Sequence, residues 1–213
     1  MLPTINTRSR TFYLLFPLIL AALFPALQLL TSVAAFSLVR GAIGQGAAND
    51  IRATPEYLLI VTAISQIFAL VVIAGCTGTI TLRSPRSDRH LVQRTIAVTG
   101  PVIVLTLGAQ MVEGSVLSLF EVELGQYAEI ADMILEANIA VVIVTVALVA
   151  GMCEEIIFRG IIQPMPVHAL GPVFGIAYTA LIFAIVHLIP VQIFAGFFFG
   201  LVFGYVRYRS ESI

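Results

Sequence analysis

The 213-residue chain has no lysine, no tryptophan, only two cysteines and few charges of either sign. Without lysine it has neither a Schiff-base nucleophile nor the phosphate-binding lysine of a P-loop. Both cysteines lie in apolar runs, so a disulfide framework is not indicated. A formal net charge of −1 gives no basic field for nucleic acid, and we expect no nucleic-acid partner.

Long apolar runs dominate what is present. Hydrophobic residues make up 59% of the chain and charged residues 11%, against about 25% charged in a soluble domain. A spanning helix needs about 20 predominantly apolar residues. Six runs approach that length: Thr11–Val39, Tyr57–Leu82, Thr95–Val112, Ala137–Cys153, Pro172–Ile189 and Val191–Val206. The sequence therefore predicts an all-α, polytopic integral membrane helix bundle in contact with lipid, with about six transmembrane helices, or five if the last two runs form a re-entrant pair.

The charges between these runs predict an orientation. The loop after the second run carries Arg83, Arg86, Arg89 and Arg94. The loop after the third carries six acids and no cation: Glu113, Glu121, Glu123, Glu129, Asp132 and Glu136. Because positively charged short loops stay in the cytoplasm, we expect the arginine loop and the N-terminus inside and the acidic loop outside. Residues 1–136 are predicted to form an N-terminal membrane region with three spans and the acidic loop, and residues 137–213 a C-terminal core.

Glu154 and Glu155 are adjacent carboxylates at the end of an apolar run, where idle charge is costly. If the helix continues, Glu155 and Arg159 lie four residues apart on one face and form an ion pair. Glu154 then points about 100° away from that pair and is a candidate general base. The alternative is a cluster of charges at a helix end in the headgroup region.

His187 lies in a second apolar run. Alone, it could be an interhelical hydrogen-bonding residue. However, Gly171-Pro172 is a natural helix break between Glu154 and His187, and a hairpin folded there would return His187 to roughly the depth of Glu154. A carboxylate and an imidazole at one depth form an acid–base pair or half of a metal site.

Three glycines are spaced by four residues in the last run: Gly196, Gly200 and Gly204. On a helix they lie on nearly one face, so we predict close helix packing there.

The pattern Glu154-Glu155-x-x-x-Arg159, then Phe183-x-x-x-His187, then Gly-x-x-x-Gly, resembles the CPBP family of intramembrane proteases. This family includes the type II CaaX prenyl endopeptidases and the bacterial Abi, or bacteriocin-immunity, proteins. The resemblance runs from about Val149 to Tyr205. It implies a protease of the bacterial plasma membrane, with Glu154 as catalytic glutamate and His187 as first essential histidine. Glu155 and Arg159 would be the supporting pair, and Phe183 would pack against His187.

Family members usually carry a third motif, a histidine followed four residues later by Asn or Asp. No His, Asn or Asp follows His187 here, so we expect residues 137–213 to form a CPBP/Abi-like catalytic core that is incomplete at its C-terminal end. The absent groups would supply an oxyanion donor or metal ligands. Catalytic zinc normally has three protein ligands, and Glu154 and His187 are two candidates for Zn²⁺.

The sequence thus predicts a membrane-embedded endopeptidase that hydrolyses a peptide or prenylated protein substrate with water activated by Glu154. The alternatives are a non-catalytic CPBP-like membrane protein, such as an immunity or regulatory partner, and a small transporter that uses Glu154 and His187 as a proton relay.

Overall fold

A computed structural model describes residues 9–78 and 132–210 of the chain, and these residues form helices and no strand. We number the main helices α1 (Arg10–Ile43), α2 (Gln45–Arg52), α3 (Pro55–Thr77), α4 (Ile139–Leu170), α5 (Pro172–Ile185) and α6 (Pro190–Ser210). Residues 132–136 form a further helical turn before α4. The prediction of an all-α membrane helix bundle is confirmed.

Three of these helices are long and apolar enough to cross a membrane: α1 with 34 residues, α3 with 23 and α4 with 32. Helix α5 is apolar but has only 14 residues, about 21 Å against a hydrocarbon core of about 30 Å. Helix α6 has 21 residues. The run Thr95–Val112, the arginine loop and most of the acidic loop lie outside the described residues. The count of six spans and the orientation therefore stay predictions.

The helix boundaries follow from local sequence. Thr54 caps the start of α3 by accepting a hydrogen bond from a backbone N–H, and Pro55 occupies the first turn, where no intrahelical donor is lost. Between α4 and α5, Gly171 adopts a φ of 79°, which a residue with a Cβ rarely tolerates, and Pro172 begins the next helix. The helix break expected at Gly171-Pro172 is present.

Helix α4 does not stop at the adjacent carboxylates but continues through them to Leu170. Along the way it alternates between α-helical and π-helical hydrogen bonding. The α-helical pieces are Ile139–Val142, Gly151–Glu154 and Pro164–Leu170, and the π-helical pieces are Ile143–Ala150 and Glu155–Ile162. Because π-helical turns are rare and are often found at functional sites, this widened backbone marks the region around Glu154.

The described residues belong to two compact units. The first unit contains residues 18–78 and 132–161, with a core that includes the edge-to-face contact of Phe24 and Phe158, whose ring centroids lie 5.5 Å apart. The second contains residues 9–17 and 162–210, in which α5 packs closely against α6. The division into domains at residue 136 stays a prediction.

Candidate functional site

Glu154 is the last residue of the α-helical piece between the two π-helical pieces of α4, and its side chain is half-buried. One carboxylate oxygen, Oε1, accepts a hydrogen bond from Nε2 of Gln66 at 3.0 Å. Gln66 lies on α3 and is 4% exposed. Because an ionised carboxylate only accepts hydrogen bonds, the amide nitrogen of Gln66 must face it. Glu154 is therefore held against α3 within the first unit.

Glu155 and Arg159 form the ion pair that their spacing predicts, with Nη1 of Arg159 3.3 Å from Oε1 of Glu155. The arginine side chain is 1% exposed and the glutamate side chain 38% exposed. A buried guanidinium in an apolar span is costly unless a carboxylate stands near it. Since α4 continues beyond this pair to Leu170, the two acids are not a cluster at a helix end.

The hydropathy of its run predicts that His187 lies within a helix. In the structure it lies in the turn that follows α5. The helix ends at Ile185, and Leu188 adopts a φ of 62°. Pro190 follows shortly, and a proline disfavours the helical conformation of the residue before it. The turn, rather than a continuous helix, therefore presents the imidazole.

Phe183 fixes the His187 ring in two ways. Its backbone carbonyl lies 2.8 Å from Nδ1 of His187, and the two rings meet edge to face with centroids 4.8 Å apart. A carbonyl oxygen can only accept, so Nδ1 carries the proton in this bond. Nε2 is then the nitrogen with a lone pair, which is the atom that accepts a proton or binds a metal ion.

The three glycines of α6 lie against α5. A Cβ built on Gly200 would stand 2.8 Å from Cα of Ala180, and one on Gly196 would stand 3.3 Å from Cα of Ala184. The Cβ built on Gly196 would also stand 3.6 Å from Nδ1 of His187. A Cβ on Gly204 would meet Oε1 of Gln163 at 3.0 Å. The small residues thus bring α6 close to α5 and to the turn that carries His187.

Two buried glutamines were not anticipated from the sequence. Gln66 contacts Glu154, and Gln163, also 4% exposed, donates from Nε2 to the carbonyl of Gly204 at 2.9 Å. A signal existed for Gln66, because it is the one amide side chain in the charge-free run Tyr57–Leu82. An amide in such a run is costly to bury without a hydrogen-bond partner.

The predicted site residues fall into two groups. Glu154, Glu155 and Arg159 belong to the first unit, and Phe183, His187 and the three glycines to the second. The predicted meeting of Glu154 and His187, and the catalytic role of each residue, stay predictions. Within residues 9–78 and 132–210, no group of three or more His, Cys, Asp or Glu side chains is arranged to hold a metal ion.

Residues 136–213, just over a third of the chain, match the family described as Type II CAAX prenyl endopeptidase Rce1-like. The matched segment contains all the predicted site residues. The resemblance to CPBP-type proteases is thereby confirmed for this part of the chain. No curated protein and no solved structure matches the chain.

Proposed function

We propose that this chain is a membrane-embedded endopeptidase that cleaves a peptide bond of a prenylated protein or peptide, with Glu154 as general base. The observation that carries the proposal is a carboxylate hydrogen-bonded to a second helix, next to an ion pair with a buried arginine, inside an apolar span. Glu154 and the ion pair lie in the segment that matches the prenyl endopeptidase family.

The chemistry is hydrolysis by an activated water molecule. The carboxylate of Glu154 takes one proton from water as the water oxygen bonds to the scissile carbonyl carbon. When the C–N bond breaks, that proton passes to the leaving amine. General-base catalysis of this kind contributes about 10²–10⁴ in rate. Glu155 and Arg159 would hold this part of α4 in place.

His187 would orient the same water. Its Nδ1–H is engaged by the carbonyl of Phe183, so Nε2 is the ring nitrogen left to accept a hydrogen bond from water. Neighbouring Phe183 keeps the ring from rotating through the edge-to-face contact. We assign His187 a catalytic role on this basis.

Zinc is a proposed cofactor, with Glu154 and His187 as ligands, and a bound zinc ion would polarise the substrate carbonyl or lower the pKa of water. The Nε2 lone pair of His187 suits such a ligand. A catalytic zinc site normally has three protein ligands, and the described part of the chain forms no such group of three. In the proposed hydrolysis, Glu154 activates the water directly.

The proposed setting is a bacterial plasma membrane with the N-terminus in the cytoplasm. Helices α1, α3 and α4 supply the apolar length for an integral membrane protein. Membrane lipid would surround them and admit a prenyl chain, which would bring the attached peptide to Glu154 from within the bilayer.

The test is cleavage by the full chain reconstituted in lipid vesicles. A farnesylated peptide and the same peptide without the prenyl group are incubated in H₂¹⁸O, and mass spectrometry locates the new carboxyl terminus. We expect one ¹⁸O atom in the product of the prenylated peptide, and loss of cleavage in Glu154→Gln and in His187→Ala.

If both variants cleave as fast as the wild type across several prenylated peptides, the protease assignment is wrong. The non-catalytic alternative, a CPBP-like immunity or regulatory protein, would then be the better interpretation.

A further inference from the structure

Gln66 is the side chain that joins α3 to Glu154. The two residues are 88 positions apart, and a 3.0 Å hydrogen bond from Nε2 of Gln66 to Oε1 of Glu154 connects them. On α3, Gln66 shares a buried face with Ala69 and Ile73, which follow it at helical spacing and are both fully buried. Packing of this buried face of α3 therefore holds the amide in place next to the carboxylate of Glu154.

The other atom of this amide is buried at a cost, as is the same atom of Gln163. Oε1 of Gln66 is buried and has no hydrogen-bond partner among the described residues. A buried acceptor without a partner is unfavourable, and an apolar side chain of similar length would fill the same space without that cost. The neighbouring Ser65 instead donates to the carbonyl of Thr62 on its own helix, at 2.7 Å.

We propose that Gln66 is a positioning residue that fixes the carboxylate of Glu154 for its role as general base, an inference that rests on the proposed function. The bond from Nε2 sets the orientation of the carboxylate plane relative to α3. Glu154 stands at the junction of an α-helical and a π-helical piece of α4, and its long side chain can adopt several rotamers. A hydrogen bond from a separate helix removes that freedom.

The chain offers a matched control. Gln163 is also a glutamine, is equally buried at 4% exposed, and also donates from Nε2, but to the backbone carbonyl of Gly204. Methionine replaces glutamine at similar length without a donor. Gln66→Met and Gln163→Met therefore remove the same kind of bond, and only the first removes it from Glu154.

The experiment measures kcat and KM for the farnesylated peptide in vesicles. We expect Gln66→Met to lower kcat by roughly 10- to 100-fold, the range for one lost charge-assisted hydrogen bond, with KM nearly unchanged. Gln163→Met is expected to keep the wild-type kcat. In the Glu154→Gln background, any residual kcat is expected to be the same with and without Gln66→Met, because both changes act on the same group.

A second measurement does not depend on turnover. Infrared difference spectra between the wild type and Glu154→Gln identify the carboxyl bands of Glu154. These bands are expected to shift in Gln66→Met and to stay in place in Gln163→Met.

The possible outcomes distinguish failure of the proposed function from failure of the role of Gln66. Equal kcat in the wild type and Glu154→Gln, or no cleavage at all, overturns the proposed function and this role with it. If Glu154→Gln abolishes cleavage while Gln66→Met keeps the wild-type kcat, or if the infrared bands do not move, only the role of Gln66 is overturned. An equal loss of kcat in both methionine variants would show a merely structural effect and overturn it as well.

Discussion

The contact between α5 and α6 at Gly200 allows a quantitative prediction. A Cβ at position 200 would lie 2.8 Å from both Cα and Cβ of Ala180. Non-bonded carbon atoms pack at about 3.5–4.0 Å, so Gly200→Ala must push the helices apart by about 1 Å. The Ala180 atoms belong to or adjoin the backbone, and no side-chain rotation can move them away.

Two effects of opposite sign determine the net change in stability. Overpacking of this kind costs about 1–3 kcal/mol of unfolding free energy. Alanine in place of glycine within a helix returns up to about 1 kcal/mol. Gly75→Ala in α3 isolates the second effect, because nothing lies within 4 Å of its added Cβ. We expect Gly200→Ala to be less stable than Gly75→Ala by about 1–3 kcal/mol.

The assay is unfolding in detergent micelles by titration with sodium dodecyl sulfate, followed by circular dichroism. The wild type, Gly75→Ala and Gly200→Ala are compared at the same protein-to-detergent ratio. If Gly200→Ala unfolds at the same concentration of sodium dodecyl sulfate as Gly75→Ala, the close approach of α5 and α6 at this position would be refuted.

Two further predictions concern α4 and are checked by the same unfolding assay. Glu155→Gln removes the carboxylate that lies 3.3 Å from Nη1 of the buried Arg159 and is expected to cost about 1–2 kcal/mol, less than for a fully buried pair because Glu155 is partly exposed to solvent; unchanged stability would contradict this. Asn138→Ala removes the side-chain oxygen that accepts the backbone N–H of Ala140 at 2.9 Å, and is expected to cost about 1 kcal/mol; unchanged stability would show that this cap is dispensable.

Features set by a few neighbouring residues could be predicted from the sequence. The helix break at Gly171-Pro172 follows from the φ range of glycine and the missing donor of proline. The Glu155–Arg159 pair follows from helical spacing. Hydropathy placed His187 inside a helix because the run stays apolar to Ile189, whereas the helix ends at Ile185 and Leu188 adopts a φ of 62° before Pro190 begins the next helix.

Features that depend on distant parts of the chain could not be predicted. The hydrogen bond between Gln66 and Glu154 joins two helices across 88 positions, and only their packing register decides that the two side chains meet. The π-helical pieces of α4 could not be predicted either, since no local sequence rule selects them over an α-helix. The hydrogen-bond partner of Glu154 can therefore be identified only from the packing of α3 against α4.

The most direct test of the central claim is the kcat of Glu154→Gln on a farnesylated peptide in vesicles. Its matched control is Glu56→Gln, which changes a glutamate of α3 that accepts one hydrogen bond, from the backbone N–H of Asn138 at 3.1 Å. We predict that Glu154→Gln lowers kcat by about 100-fold or more, as expected for the loss of a general base, while Glu56→Gln keeps the wild-type rate. A wild-type rate in Glu154→Gln would contradict the claim that Glu154 activates the water.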